Sequence, residues 1–334
     1  MPSALVTGAT GLLGRQVYKA FGDAGWQTTG TGFSRASGEI RRLDIQDEEA
    51  VRQLFDEVKP QVVVHSAADR QPDSCTKNPE AAHRINVTAT ANLAKTCAEN
   101  NVFLIYISTD YVFPGVPGQA PYKATDEPKP SNVYGQTKLD GEKAVLAYPN
   151  TVVMRVPVLY GPTEENKESA INVLMDSLYE SQKKPVKMDD WAIRYPTNVE
   201  DVARVCVDIA KYYTSATATA TAAHQGGGHD DGKVTADQKM VAPGSGEPLP
   251  RILQFSSEDR MTKYDICKVF GEIMGLPIDG IVPDKESGKK PAPDGTLRPY
   301  DCHLDTSELK KLGIDVTTVD FVAWWRWKTG AFRH

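Results

Sequence analysis

The stretch Thr7-Gly8-Ala9-Thr10-Gly11-Leu12-Leu13-Gly14 decides the fold of the first half of this chain. It follows a short apolar run at residues 4–7 and opens a segment, residues 12–24, whose apolar side chains recur at helical spacing. Glycines in this arrangement permit a tight turn, let the backbone approach a pyrophosphate, and bring the helix close to the sheet. A glycine triplet alone is often only a turn, but one placed between a strand and a helix predicts a phosphate-binding site.

The first half continues as an alternation of short apolar runs and amphipathic segments. Further strands are predicted at residues 27–31, 62–65 and 102–108, and helices at residues 48–59 and 80–99. This order is typical of βαβ units, in which helices cover both faces of a parallel sheet. We therefore predict an α/β fold built on a Rossmann doubly wound parallel sheet.

The second half of the chain is less regular. A core strand is predicted at residues 152–156, another at residues 251–256, and a helix at Lys263–Met274, after Thr262 as its N-cap. We predict a Rossmann domain over residues 1–160, to which parts of the later chain return, and a smaller C-terminal α/β domain over residues 161–334. Residues 214–250 hold too little apolar surface to offset their ordering entropy, which predicts a disordered insertion. A partner-binding segment is the alternative there.

The composition excludes several classes of protein. A net charge of −6 gives no polyanion-binding signature, so neither nucleic acid nor an acidic membrane surface is an expected partner. There is no apolar run of about 18 residues and no basic, then apolar, leader. The five cysteines are scattered and never form a CxxC pair, which argues against a disulfide framework and a zinc site. We expect a cytoplasmic protein without a bound metal.

The end of the second predicted strand indicates which dinucleotide the glycine-rich turn would bind. Proteins that bind NAD usually carry an acidic side chain there, which accepts a hydrogen bond from the ribose 2′-hydroxyl. The segment Thr29-Gly30-Thr31-Gly32-Phe33-Ser34-Arg35 has no carboxylate. Ser34 and Arg35, together with Arg15, could instead bind a 2′-phosphate by charge-assisted hydrogen bonds, which favours NADP(H). The alternative for Arg35 is a solvated loop charge.

A hydroxyl, a phenol and an ammonium group form a second constellation. Tyr134 and Lys138 are four residues apart, so they share a face if their segment is helical. Ser108-Thr109 ends a buried strand, at the edge of the sheet that should face the cofactor. In a reductase, Tyr134 would donate a proton to a carbonyl, Lys138 would favour the phenolate, and Thr109 would position the carbonyl oxygen. A Tyr-x-x-x-Lys face on its own is usually structural.

Four of these segments together resemble the extended short-chain dehydrogenase/reductases, in particular dTDP-4-dehydrorhamnose reductase and its relatives: TGATGLLG, HSAAD, YISTDYVF and YGQTKLDGEK. The resemblance covers most of the chain apart from the low-complexity segment. Within this group the chain is most similar to the regulatory beta subunits of methionine adenosyltransferase, the enzyme that makes S-adenosylmethionine. The stretches that carry this second resemblance are residues 4–15, 138–146, 261–264 and 332–334.

The resemblance implies a set of cofactor contacts. Asp44 and Ile45 would flank the adenine, while Pro157 and Val158 would lie near the nicotinamide. Thr109, Tyr134 and Lys138 would be the catalytic-type residues. The complete set expected to contact NADP(H) is Thr7, Gly8, Thr10, Gly11, Leu12, Leu13, Gly14, Arg15, Phe33, Ser34, Arg35, Asp44, Ile45, Ser66, Ala67, Ala68, Arg70, Asn86, Tyr134, Lys138, Pro157 and Val158.

Two functions from different classes follow. The first is an NADP-binding regulatory subunit that binds the methionine adenosyltransferase catalytic subunit through its C-terminal domain and tail. Trp324, Trp325 and Trp327 near the C-terminus are of the residue type enriched at interface anchors, although they could equally pack the last helix against the core. The second function is an NADPH-dependent reductase of a nucleotide-linked 4-keto sugar, which the intact catalytic-type residues favour. The resemblance favours regulation.

Overall fold

The computed structural model describes residues 1–224, 240–242, 247–291 and 295–331. Its strands are β1 (Ser3–Thr7), β2 (Gln27–Gly32), β3 (Arg41–Arg42), β4 (Val62–His65), β5 (Phe103–Thr109), β6 (Thr151–Val156), β7 (Leu159–Tyr160), β8 (Val186–Asp189), β9 (Thr197–Asn198), β10 (Ile252–Gln254) and β11 (Ile281–Asp284). Its α-helices are α1 (Leu12–Asp23), α2 (Glu48–Val58), α3 (Pro72–Lys77), α4 (Pro79–His83), α5 (Thr90–Glu99), α6 (Val133–Leu146), α7 (Val173–Ser181), α8 (Val199–His224), α9 (Lys263–Met274), α10 (Ser307–Lys311) and α11 (Phe321–Thr329). A π-helical turn, Arg84–Ala89, joins α4 to α5.

The central sheet has seven strands in the order β10-β6-β5-β4-β1-β2-β3, and neighbouring strands are parallel. The Rossmann prediction is therefore confirmed. The chain places β2 and β3 on one side of β1, and it places β4, β5 and β6 on the other side. The gap between the ends of β1 and β4 is therefore the topological switch point of the sheet. Thr7 is in register with His65 across this gap, so the carboxyl ends of both strands open onto the same edge of the sheet. Ligands of open α/β sheets bind at that edge.

Helices cover both faces of the sheet, as the apolar runs predict. On one face α1 and α8 pack side by side, with Val17, Phe21 and Cys206 fully buried among them. On the other face α2 and α5 pack Phe55 and Leu93 against the strands. Because α8 and β10 belong to this unit, the chain returns to the sheet after residue 160.

A second layer of structure lies beyond the carboxyl edge. It holds two short parallel sheets, β7 with β9 and β8 with β11, and an aromatic cluster formed by α9, α11 and β7. Trp325 is 1% exposed in this cluster and Trp324 is also buried, whereas Trp327 is 65% exposed. The core alternative for the first two tryptophans is confirmed. Residues 332–334 lie outside the described residues.

The predicted insertion, residues 214–250, differs from the structure at both ends. Helix α8 continues to His224, and Met240 and Leu249 are buried in the same core as α1. Ala242 N–H donates to the Glu247 carbonyl over 2.7 Å. A few apolar side chains attach the ends of this polar segment to the core, which an average composition does not reveal. The middle of the insertion, residues 225–239 and 243–246, lies outside the described residues.

Two further observations concern the described part of the chain. All five cysteines are buried free thiols. No helix in the described ranges combines the length and the apolar character needed to cross a bilayer.

Candidate functional site

A cavity of about 670 Å³ opens at the carboxyl edge of the sheet, between the sheet and the second layer. Most of the residues predicted from the sequence line it: Gly8, Thr10, Gly11, Leu12, Leu13, Gly14, Arg35, Ser66, Ala67, Ala68, Arg70, Thr109, Tyr134, Lys138, Pro157 and Val158. A second cavity of the same volume lies at the opposite edge, beside Trp26 and Phe103, and none of the predicted site residues lines it. The first cavity is therefore the candidate site.

The glycine-rich turn has the shape that a phosphate requires. Gly8 adopts a φ of +70°, and a Cβ at Gly14 would lie 2.1 Å from the Gly8 carbonyl oxygen, so only glycine fits. Gly11 is the N-cap of α1 and supplies no side-chain acceptor. The amides of the first turn, starting at Leu12 and Leu13, consequently have no intrahelical partner and face the cavity. This arrangement fits a dinucleotide pyrophosphate, since free amides and the positive end of the helix dipole both favour an anion.

The two arginines expected near a 2′-phosphate converge on one carboxylate. Arg15 and Arg35 both form ion pairs with Glu168, whose side chain is 8% exposed. Arg15 also donates to the Thr10 carbonyl over 2.9 Å and lies 3.4 Å from the Glu164 carboxylate. Burial opposes ionisation of Glu168, but hydrogen bonds from Arg15 and from the Glu164 backbone lower its pKa to about 2. Glu168 is thus an anion that the sequence analysis missed.

The remaining predicted contacts lie outside the cavity lining, and two of them support it from behind. Thr7 Oγ1 lies 2.7 Å from His65 Nδ1, which joins the ends of β1 and β4. Asn86 donates to the Asp69 carbonyl over 2.9 Å and accepts from the Asp69 N–H over 2.9 Å. These bonds hold the loop after β4 in place, and that loop carries Ala67 and Ala68.

Four other predicted contacts lie on the rim around β2 and β3. Phe33 is 53% exposed, with the Arg42 guanidinium 5.5 Å from its ring centroid. Ser34 is also exposed. Asp44 accepts from the Gln46 N–H over 3.0 Å, and Ile45 packs against the core beneath α2. These four residues follow the ends of β2 and β3 and lie outside the cavity wall.

The three catalytic-type residues meet in the cavity. The Thr109 side chain hydrogen-bonds the Tyr134 hydroxyl, and burial raises the pKa of Tyr134 despite this bond, which keeps the phenol protonated. Lys138 donates to the Ile107 carbonyl over 2.7 Å, and its Nζ lies 4.0 Å from the Tyr106 ring centroid. Burial lowers the pKa of Lys138 to about 7, although Glu142 opposes this. Lys138 is therefore directed at the strand, and the protonated phenol of Tyr134 lines the cavity beside Thr109.

A buried ion pair fixes the helix that carries Tyr134 and Lys138. Arg155 in β6 and Glu142 in α6 form two hydrogen bonds of 2.9 and 2.7 Å, and both side chains are about fully buried. Ser108 donates to the same carboxylate over 2.5 Å. Two signals could have revealed this pair: an arginine inside the apolar strand TVVMRV, and a glutamate four residues after Lys138.

Besides Arg35 and Lys138, four cationic side chains line the cavity. These are Arg70, Arg194, Lys263 and Arg298, and the carboxylates of Asp73 and Asp110 line the same cavity. Among the described residues, Arg298 pairs with Asp73 at 2.6 Å and Arg194 lies 4.0 Å from Asp189. Burial, followed by the charges of Arg194 and Arg298, lowers the pKa of Lys263 to about 8. Such a concentration of positive charge in a partly enclosed space favours an anionic ligand. Of these four cationic residues only Arg70 was predicted from the sequence, because the other three lie far along the chain.

Comparison with known proteins identifies the family. The family described as "RmlD substrate binding domain" matches residues 2–236. The chain belongs to the RmlD substrate binding domain family. Among the curated relatives of this RmlD-family chain is "Methionine adenosyltransferase 2 subunit beta" of Mus musculus, which is 40% identical over 315 residues, 94% of this chain and 83% of the relative.

Two further comparisons concern reductases. The "dTDP-4-dehydrorhamnose reductase" of Mycolicibacterium smegmatis is 40% identical to this RmlD-family chain over 157 residues, which is 47% of the chain and 45% of the reductase. The solved structure of dTDP-4-dehydrorhamnose reductase from Bacillus anthracis, in complex with NADP, has a TM-score of 0.74 at 19% identity, covering 98% of this chain and 97% of the other. The structural likeness confirms the fold, and the sequence likeness confirms the predicted resemblance.

Proposed function

We propose that this chain is an NADP(H)-binding regulatory subunit of a methionine adenosyltransferase, which supports S-adenosylmethionine synthesis in the cytoplasm. The main support for the proposal is how much of the chain is similar in sequence to the beta-subunit relative. The beta-subunit relative matches 94% of the chain, including its C-terminal half, whereas the mycobacterial reductase matches 47%. The buried free thiols support a reducing compartment such as the cytoplasm.

The dinucleotide part of the proposal rests on the geometry of the cavity. The turn at Gly8 and the first amides of α1 would bind the pyrophosphate, and Arg15 and Arg35 would bind the 2′-phosphate. Bound NADPH would supply a hydride, and Tyr134 would hold the proton that a reduction requires. In a regulatory subunit the same contacts stabilise the fold, because a ligand that binds only the native state shifts the unfolding equilibrium.

The proposed partner surface includes helix α11. Its exposed Trp327 is an apolar side chain of the type that anchors interfaces, and it follows directly on the buried Trp324 and Trp325, which fix the helix. A partner that covers Trp327 would therefore bind a rigid surface. Tyr179 on α7 is 56% exposed and serves as a matched aromatic control.

The test is capture of the methionine adenosyltransferase catalytic subunit by the full chain, measured as a Kd by biolayer interferometry. We expect Trp327→Ala to weaken binding by about 30-fold, the effect of a 2 kcal/mol interface anchor. Tyr179→Ala should change the Kd by less than about twofold, as expected of an exposed residue outside the interface. Absence of capture by the wild-type chain would refute the proposal.

A second function is favoured by two specific observations. Thr109, Tyr134 and Lys138 line one cavity, and the arginine and lysine side chains around it would suit the diphosphate of a nucleotide sugar. A reductase of a nucleotide-linked 4-keto sugar would use Tyr134 to protonate the carbonyl oxygen as it is reduced. The test is oxidation of NADPH in the presence of dTDP-4-dehydrorhamnose. Turnover that Tyr134→Phe abolishes, together with failure to capture the catalytic subunit, would reverse the order of the two functions.

A further inference from the structure

The carboxylate of Glu168 is built into the dinucleotide site from another part of the chain. It belongs to a single turn of 3-10 helix, Asn166–Glu168, between β7 and α7. Hydrogen bonds between side chains and backbone fix this segment, since Ser169 Oγ donates to the Leu159 carbonyl over 2.8 Å and the Glu164 N–H donates to the Glu168 carboxylate over 3.2 Å. The carboxylate is therefore positioned by the fold and does not simply follow the arginines.

The position of Glu168 places it in competition with a 2′-phosphate. Both arginines that would bind the phosphate already bind this carboxylate, and the Glu164 carboxylate lies 3.4 Å from Arg15. A phosphate monoester carries a charge of about −1.5 to −2 at neutral pH, so it would meet the like charge of Glu168, whose side chain is 8% exposed. A 2′-hydroxyl would meet no such repulsion and could donate a hydrogen bond to a carboxylate.

We propose that Glu168 is a specificity-determining residue, which competes with the 2′-phosphate for Arg15 and Arg35 and thereby admits NAD(H) alongside NADP(H). The strand end after β2 lacks the acidic residue typical of NAD-binding sites, and Glu168 supplies that carboxylate from the segment before α7. This inference rests on the proposed dinucleotide function and adds the rule by which the site selects its ligand. It also couples the bound dinucleotide to residues 163–169, because a 2′-phosphate displaces Glu168.

Glu168 could have the opposite role and help Arg15 and Arg35 to bind the phosphate, and the two roles predict opposite changes in NADPH affinity when Glu168 is replaced. If the carboxylate only orients the two guanidinium groups for the phosphate, its removal weakens NADPH binding. If the carboxylate competes with the phosphate, its removal strengthens NADPH binding and leaves NADH binding little changed. The sign of the change in the NADPH affinity therefore separates the two roles.

The experiment is calorimetric titration of the full-length chain with NADPH and NADH, and with 2′,5′-ADP and 5′-AMP as probes that differ only in the 2′-phosphate. For Glu168→Gln we expect the ratio of the NADH Kd to the NADPH Kd to rise at least tenfold, with the NADH Kd changed less than threefold. The 2′,5′-ADP to 5′-AMP preference should rise in parallel. Glu165→Gln is the matched control, because Glu165 lies on the same turn and pairs with the exposed Lys167.

Glu168→Ser removes the charge with a smaller side chain and gives the same readout where the glutamine variant is poorly folded. A ratio that stays constant or falls in these variants, while the wild type binds both dinucleotides, overturns the inference alone. Failure of the wild type to bind either dinucleotide overturns the proposed function as well.

Discussion

Gly14→Ala is the substitution whose effect on the free energy of unfolding follows most clearly from the structure. The added Cβ would lie 2.1 Å from the Gly8 oxygen, 2.6 Å from the Gly8 carbonyl carbon and 3.0 Å from Ala9 Cα. All three atoms belong to the backbone of the turn, so relief requires α1 to move away from it by about 1 Å, and overpacking of this kind costs up to about 3 kcal/mol. Alanine recovers about 1 kcal/mol through its helix propensity, which leaves a net loss of about 2 kcal/mol.

The same displacement separates the free amides of α1 from the turn, so we expect NADPH affinity to fall at least tenfold. Urea unfolding measures the first effect and calorimetry the second. Gly22→Ala is the control, since Gly22 lies in the same helix and a Cβ added there would meet no neighbouring atom within 4 Å, and it should gain about 0.5–1 kcal/mol. A Gly14→Ala protein as stable as wild type, with unchanged NADPH affinity, would refute the reasoning.

Three further predictions concern stability, each measured by urea unfolding. Trp325→Ala should lose about 3–5 kcal/mol because the indole is 1% exposed, and a loss below about 1 kcal/mol would count against the assigned core. Glu142→Gln should lose about 3–5 kcal/mol because it leaves the Arg155 guanidinium buried without its counter-ion, and an unaffected protein would rule out that pairing. Burial, followed by the charge of Lys138, lowers the pKa of His65 to about 3, so between pH 6.5 and 3 the unfolded chain binds a proton that the folded chain does not. The free energy of unfolding should therefore decrease as the pH falls, and the decrease should be about 1.4 kcal/mol per pH unit steeper in wild type than in His65→Asn. Equal slopes in the two proteins would contradict the lowered pKa of His65.

Local rules explain why much of the fold could be predicted. The strand at Val62–His65 is a continuous apolar run, and the structure begins and ends it at those residues. Thr262 caps α9 through a reciprocal bond with Asp265, and Gly275 ends it in the left-handed region. Each of these features depends on side chains that lie within a few residues of one another, so it can be predicted from the local sequence.

The site could be predicted only in part, because its remaining groups come together through tertiary structure. Tyr134 and Lys138 share a helix face and were predictable from their spacing. Glu168 lies 153 residues from Arg15, and no spacing rule links the two. Arg194 lies near Lys263 and Arg298 only because the second layer folds over the sheet edge.

The central claim is that the cavity at the carboxyl edge of the sheet binds NADP(H). A crystal structure of the full chain, from crystals grown with NADPH, tests it most directly. We predict that the pyrophosphate lies at the amides of Leu12 and Leu13 and that Arg15 and Arg35 bind the 2′-phosphate in place of Glu168. Dinucleotide density at the opposite edge of the sheet, beside Trp26 and Phe103, would contradict it.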